Sequence, residues 1–306
     1  MTGDYRYRIY GLTLSSPHPL PFLWPEADAA RAVDVALRFA PVVVPAEPPV
    51  RQARRLSLYA DGTGLHQAVH GARFLIREGR EIIADLPPQT SAAELHALLC
   101  GPPLGWLMCQ RRSPPLHACV VGMGRVAVAL AGDSGAGKST LARTLVARGH
   151  GLVSDDQAVI DPDTALVYPG FPAMKLWADT AARAGDTVVP DWRVRPGLEK
   201  YITPLPDAFH PNPLRLGLVL VLSRGPQRQP ERADRHTAAA LLLRCLYRPE
   251  FSRSLDQGRV VLHWAATLAR TVPVFRLDRS DDPADLPALT AIVEALVDSE
   301  GKRHPT

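Results

Sequence analysis

Gly132-Asp133-Ser134-Gly135-Ala136-Gly137-Lys138-Ser139 fits the pattern G-x-x-x-x-G-K-[ST]. Each residue type has a physical reason to be there. Glycines let consecutive backbone N–H groups turn inward as an anion nest, and a helix opening near Lys138 adds the positive end of its dipole. The Lys138 ammonium is placed to reach the β- and γ-phosphates of a nucleotide, and the Ser139 hydroxyl to serve Mg²⁺. The cofactor-binding stretch is therefore read as Gly132–Thr140. With 22 Gly and four lysines in 306 residues, the fixed positions match by chance about 0.002 times per chain.

Asp155 lies seventeen residues past Lys138 and is followed by Asp156, at the end of the short apolar run Leu152-Val153-Ser154. Adjacent carboxylates near a triphosphate suit work with Mg²⁺ and protons: one holds the metal while the other accepts the proton of an attacking hydroxyl. Crowding also pushes their pKa values apart. Neighbouring residues at a strand end point in different directions, so the two are expected to do different jobs. An Asp-Asp turn closing a hairpin is the bland reading of the same dipeptide.

The elements that position these residues follow from pattern. Val126–Ala131 is an apolar run of strand length leading into the glycine loop, and Thr140–Arg148 is an amphipathic helix stopped by Gly149. Leu116–Val121 and Val126–Ala131 form a hairpin through Gly122-Met123-Gly124-Arg125. Beyond them, strand-like runs at 159–160, 165–168, 214–222 and 272–277 alternate with helical ones at 237–247, 262–270 and 283–297. That alternation is α/β. The first 112 residues read differently. Tyr5–Tyr10, Val33–Phe39 and Arg55–Tyr59 alternate as strands, and Arg73–Arg77 and Glu81–Ala84 flank the turn Glu78-Gly79-Arg80. Proline density excludes helix over 17–25 and 41–49. Thr90 or Ser91 followed by Glu94 resembles a capping box for a helix ending near Cys100. Gly101-Pro102-Pro103 interrupts it, and Leu104–Arg112 resumes. Ser113-Pro114-Pro115 marks a boundary between a β-rich N-terminal domain (1–112) and a catalytic domain (113–306).

Composition narrows the class. Hydrophobic residues at 46% and charged residues at 22% fit a soluble globular chain with a sizeable core. No apolar run reaches the ~18 residues of a membrane span, and the first twelve residues lack the apolar stretch of a signal peptide; the expectation is cytoplasmic, with no membrane partner. Cys100, Cys109, Cys119 and Cys245 are too sparse for a disulfide framework or a zinc site and read as buried hydrophobes. Net charge is +4, but the arginines are scattered, and the densest stretch, Arg224–Arg235, reads as a solvated Pro-rich loop. No nucleic-acid partner is expected. Only four of the 35 basic residues are lysine. A chain so biased toward arginine places Lys where a compact ammonium is wanted, which singles out Lys175 and Lys200 beside Lys138. Arg193 and Arg195 make the stretch before Lys200 suited to clamping phosphate or a carboxylate.

Leu116-His117-Ala118, the turn Gly122–Gly124, Gly132–Ser139 and His150-Gly151-Leu152-Val153-Ser154-Asp155-Asp156 resemble the catalytic domain of bacterial HPr kinase/phosphorylase, over roughly 113–170. The resemblance implies an α/β (overall α+β) fold akin to phosphoenolpyruvate carboxykinase, with ATP and Mg²⁺ at the loop. It also implies Asp155 as general base toward a serine hydroxyl, with Asp156 and His117 as its polar support, and self-association. The residues themselves add Lys138 and Lys200 to the catalytic set and put Ser139 and Asp156 on the metal. Pro169–Trp177 departs from that family, because its glycine-rich signature with an acidic residue and arginine is missing. Tyr10-Gly11-Leu12, Leu116-His117-Ala118, and Lys175-Leu176-Trp177 with Glu199-Lys200-Tyr201 instead resemble the HPr-kinase-like serine kinases encoded beside ribosomal peptide genes, including lasso-peptide tailoring kinases. The expected activity is ATP-dependent phosphorylation of a serine hydroxyl on a peptide or small protein. Bifunctional HPr kinase/phosphorylase, a non-catalytic nucleotide-binding module and a small-molecule kinase stay open beside it. Residues 1–112, folded but without catalytic side chains, are expected to help orient the acceptor.

Overall fold

The alternation that begins at Tyr5 produces the first strand of a computed structural model that describes residues 4–53, 55–226 and 228–303. Residues 1–3 of the N-terminal segment and Gln227 within the Pro-rich stretch lie outside the described residues. The elements are β1 (Tyr5–Ile9), β2 (Leu12–Ser16), β3 (Trp24–Pro25), β4 (Val35–Phe39), β5 (Arg51–Ala53), β6 (Leu56–Leu58), β7 (Gly64–Gln67), β8 (Arg73–Arg77), β9 (Glu81–Asp85), α1 (Ala92–Leu99) and α2 (Pro102–Gln110). They continue as β10 (Ala118–Met123), β11 (Val126–Gly132), α3 (Lys138–Ala147), β12 (Gly151–Ser154), β13 (Val159–Ile160), β14 (Leu166–Tyr168), β15 (Ala173–Trp177), α4 (Ala178–Arg183), β16 (Lys200–Pro204), β17 (Leu214–Arg224), β18 (Glu231–Arg232), α5 (Arg235–Arg244), α6 (Glu250–Ser254), α7 (Gly258–Thr271), β19 (Val274–Arg279) and α8 (Leu286–Arg303). Among the described residues no helix is long and apolar enough to cross a membrane.

The first sheet runs β3-β1-β2-β4-β9-β8-β7-β6-β5. Ser91 accepts a hydrogen bond from the Glu94 N–H and caps α1. The helical run is interrupted after Leu99 as expected, and Pro102 and Pro103 then open α2 in its first turn, because a first-turn proline has no intrahelical N–H to lose. The second sheet runs β12-β10-β11-β17-β14-β13, with β19 parallel to β17 and β18 beside β19. Only Gly124 and Arg125 turn the β10–β11 hairpin; Gly122 and Met123 pair with Ala127 and Val126.

Strand period sorts the second sheet's side chains onto two faces. Val120, Ala129 and Val219 pack with Leu242 of α5 and Leu268 of α7. Val121, Leu130 and Leu220 pack with Leu141 of α3 and Val293 of α8. The chain is thus mixed α/β, with helices on both faces of this sheet. A separate apolar cluster joins Leu14, Phe74 and Trp106 of the first half to Phe171, Val194, Tyr247 and Phe251 of the second, so packing runs across the 112/113 position. The two-stranded sheet β15–β16, where Trp177 faces Lys200 in register, carries two of the chain's four lysines.

Candidate active site

β11, β17 and β19 run parallel, and the glycine loop leaves the carboxyl end of β11, where open α/β sheets commonly bind ligands. Gly132 and Gly137 have φ of 133° and 89°. A Cβ on Gly132 would come within 2.4 Å of the Leu222 carbonyl oxygen, so the loop's path requires glycine there. The next strands brace the loop. Arg224 Nε donates to the Gly135 carbonyl at 3.0 Å and Arg279 Nε to the Ala136 carbonyl at 2.6 Å. These arginines are register partners at the ends of β17 and β19, and Asp281 pairs with both. Arg224, which the sequence places in a solvated loop, instead ends a strand and holds the phosphate loop. Neither arginine stood out in sequence, because the contact depends on two strands being parallel and in register.

The Lys138 ammonium donates to the Gly132 and Asp133 carbonyls at 2.8 and 3.0 Å and to His117 Nε2 at 3.1 Å. An ammonium has no lone pair, so Nε2 accepts and the imidazole proton sits on Nδ1. That nitrogen lies 3.0 Å from the Asp156 carbonyl oxygen and 3.2 Å from Asp156 Oδ1. Asp156 Oδ2 accepts from the Lys175 ammonium at 2.7 Å. A polar chain therefore runs Lys138–His117–Asp156–Lys175. Burial raises the Asp156 pKa, but the Lys175 ammonium and then His117 outweigh it and hold the carboxyl well below 3.8. Burial likewise opposes charge on Lys175, yet Asp156, with Asp155 behind it, holds its pKa above 10.5.

Asp155 faces elsewhere. Its Oδ1 accepts from Cys119 Sγ at 3.1 Å and from the Ser139 hydroxyl at 3.5 Å, and its Oδ2 from the Lys175 backbone N–H at 2.9 Å. The divergence is local: Asp156 has φ of 70°, a left-handed conformation that Asp tolerates better than most residues. Asp155 is 1% exposed, whereas the Asp156 side chain is 26% exposed. Cys119, expected as a core hydrophobe, is buried as expected and also donates to Asp155; burial pushes its thiol pKa up, so it stays a donor.

A cleft of about 460 Å³ opens over the loop, lined by Ser134, Gly135, Gly137, Lys138, Ser139 and Thr140, and by His117, Asp156, Lys175 and Lys200. Three of the four lysines therefore meet in one cleft. Lys200 sits there with its ammonium 6.0 Å from the centre of the Trp177 ring. Arg193 does not join it, because it is engaged by Glu199 at 2.9 Å and by the Tyr201 hydroxyl at 2.8 Å. The structure thus brings together Gly132–Thr140, His117, Asp155, Asp156 and Lys200. It adds Lys175, for which lysine scarcity was the available signal.

Residues 111–173 match the family model described as HPr Serine kinase C-terminal domain, about a fifth of the chain. None of the curated proteins matches. Among solved structures, the HPr(Ser) kinase/phosphatase from Coxiella burnetii matches at 14% identity over 63% of this chain and 99% of that one, with a TM-score of 0.30. A likeness at that TM-score carries no argument about this chain.

Proposed function

We propose that the chain is an ATP-dependent kinase that phosphorylates a serine hydroxyl on a peptide or small protein. The observation that carries this reading is the divergence of the two carboxylates. Asp155 is turned to the Ser139 hydroxyl of the phosphate loop, and Asp156, one residue on, is turned to the open cleft. Nucleotide storage alone has no need of the second carboxylate, nor of the His117 and Lys175 that hold it. The match over 111–173 supports the same class of reaction. The lasso-peptide resemblance of Lys175-Leu176-Trp177 and Glu199-Lys200-Tyr201 supports a ribosomally made peptide as acceptor.

The site fits Mg²⁺. Ser139 and Asp155 supply oxygen donors beside the phosphate nest, and no group of three or more His, Cys, Asp or Glu among the described residues forms a cage of its own. Mg²⁺ usually takes one or two protein oxygens and completes its shell with phosphate and water. Ser139, which lines the cleft, would hold it directly and Asp155, buried behind the Ser139 hydroxyl, through water, and when bound it would neutralise charge on the β- and γ-phosphates. This exchanges the roles that the resemblance implies for Asp155 and Asp156.

Lys138 leaves its loop carbonyls for the phosphates, which frees His117 Nε2. Asp156, kept ionised by Lys175 and His117, accepts the hydrogen bond of the acceptor hydroxyl and points its oxygen at the γ-phosphorus. The new O–P bond forms as the β–γ bridging P–O bond breaks; ADP departs and the hydroxyl proton passes to Asp156. Such a transition state is loose, so orientation matters more than early proton removal. That is why a carboxylate of low pKa suffices. Lys175 and Lys200 offset the charge on the transferring group.

Incubation with radiolabelled ATP, Mg²⁺ and a panel of serine-containing peptides and small proteins tests the reading: label on serine supports it, and ATP bound with no label on any peptide or protein overturns it. Bifunctional action on HPr is the second reading, favoured by the family match. Phosphorylation of HPr reversed by inorganic phosphate, with release of pyrophosphate, would replace the first.

A further inference from the structure

Behind the nucleotide cleft lies a second chamber of about 530 Å³, which shares Asp156, Lys175 and Lys200 with it. Both halves of the chain build it. Leu56 and His66 come from the first sheet and Arg55 from the turn before β6, Leu98 and Pro102 from the α1–α2 corner, Arg195 from the segment before β16, and Tyr247 and Arg248 from the stretch after α5. Asp155 lines neither chamber. The Asp156–Lys175 pair is therefore the boundary through which an acceptor entering the second chamber would meet the nucleotide.

The charge of this chamber is one-sided. Arg55, Arg195, Lys200 and Arg248 line it, against Asp156, which Lys175 already neutralises, and Glu250, which pairs with Arg248 at 3.7 Å. Among the described residues Arg55, Arg195 and Lys200 have no carboxylate within salt-bridge distance. His66, in the same wall, has its Nδ1 buried without a hydrogen-bond partner. Burial, then Arg248 and Arg55, hold its pKa down to about 4, as a positive surrounding should. The aromatic faces offer nothing for stacking a base, because the Arg248 guanidinium lies 5.8 Å from the Tyr247 ring centre and 5.9 Å from that of Phe251. Leu56, Val69, Leu98 and Val194 instead give apolar contacts suited to side chains and backbone.

We infer that the second chamber seats an acidic peptide segment, with Asp or Glu flanking the hydroxyl residue that is presented to Asp156. The acidic flanks meet Arg55 and Arg195, and the hydroxyl lies between Lys175 and Lys200. This inference rests on the kinase reading for its purpose, but its binding chemistry stands apart from it. It gives the first half of the chain a role in recognition.

The test uses the full chain and three synthetic dodecapeptides with one central serine and flanks of Glu, Ala or Lys. The charge-reversed double variant Arg55→Glu/Arg195→Glu is compared with the wild type; both positions are exposed, so folding is not at stake. The expected result is kcat/KM at least tenfold higher for the Glu peptide than for the Lys peptide. The double variant should lose at least tenfold on the Glu peptide, through KM, with Mg-ATP affinity unchanged. Equal use of the three peptides, or no effect of the double variant, overturns the inference and leaves the kinase reading standing. If no peptide is phosphorylated, fluorescence anisotropy with the labelled Glu peptide decides the matter. Binding lost in the double variant upholds the chamber while the kinase reading falls, and no binding to the wild type overturns the chamber itself.

Discussion

Lys175 donates its ammonium to Asp156 Oδ2 at 2.7 Å, and its backbone N–H holds Asp155 at 2.9 Å. One residue of β15 thus fixes both carboxylates in their divergent directions. Lys175→Met would keep the backbone contact and remove the ammonium, leaving Asp156 with His117 alone. Breaking a buried pair from one side costs roughly 3–5 kcal/mol, and the partial exposure of Asp156 puts the expected loss at the lower end. A urea midpoint unchanged in Lys175→Met would contradict the pairing.

The same pair fixes the sign of a pH effect. Asp156 has a lowered pKa in the folded chain, so its contribution is complete above the ordinary 3.8 and is lost as pH falls through the lower folded value. Lys175 has a raised pKa, so its contribution is complete below 10.5 and is lost as pH rises through the higher folded value. The stability gap between wild type and Lys175→Met should stay flat from about pH 5 to 9 and shrink only outside that window. A gap that closes between pH 6 and 8 would place the partner on another group.

Lys138→Ala removes a charged donor from the phosphate nest. Hydrogen bonds to charged groups are worth about 1.5–3 kcal/mol, so Mg-ATP affinity by calorimetry should fall about ten- to a hundredfold. In the wild type, the ¹⁵N signals of His117 should show Nδ1 protonated without nucleotide, and Nε2 should change its partner when nucleotide binds. Unaltered Nε2 signals would show that Lys138 never leaves His117.

Arg279→Leu should loosen the phosphate loop. Arg279 Nε holds the Ala136 carbonyl at 2.6 Å, and its loss leaves a loop that must order itself on binding. Pyrophosphate affinity is expected to drop roughly tenfold, with charged-hydrogen-bond loss as the scale. An unchanged affinity would mean that the loop holds its shape alone.

How much of this was legible in the sequence depends on the range of the contact. The phosphate loop, its strand and its helix are contiguous, so residue order alone carried them. The Asp pair was legible as a pair, and its opposed directions followed from strand geometry. Which carboxylate faces Ser139 was not, because it depends on the left-handed conformation at Asp156 and on the Lys175 backbone N–H that holds Asp155 from β15. The hairpin β15–β16 escaped notice since a long excursion separates its strands. Lys175 and Lys200 were visible only through the rarity of lysine. The arginine brace, the Cys119 thiol and the second chamber depend on strands and halves distant in sequence. The apolar cluster joining Trp106 to Tyr247 and Phe251 carries a related consequence: a chain begun at Ser113 would expose Phe171, Val194 and Phe251. It should fail to unfold cooperatively, and a sharp thermal transition in that fragment would contradict the shared core.

In the proposed mechanism Asp156 meets the acceptor while Asp155 serves the metal side, and paired amide variants separate the two roles. Mg-ATP affinity and single-turnover phosphorylation of the acceptor should be measured for Asp155→Asn and Asp156→Asn, with thermal midpoints confirming that both are folded. Asp156→Asn should keep Mg-ATP bound and lose about 10²–10⁴-fold in transfer rate, the usual scale for a proton-accepting group. Asp155→Asn should weaken Mg²⁺-dependent nucleotide binding and shift the Mg²⁺ requirement. The opposite pattern, with Asp155→Asn losing only chemistry and Asp156→Asn losing Mg-ATP, would reverse the assignment, and activity retained in both would contradict the mechanism.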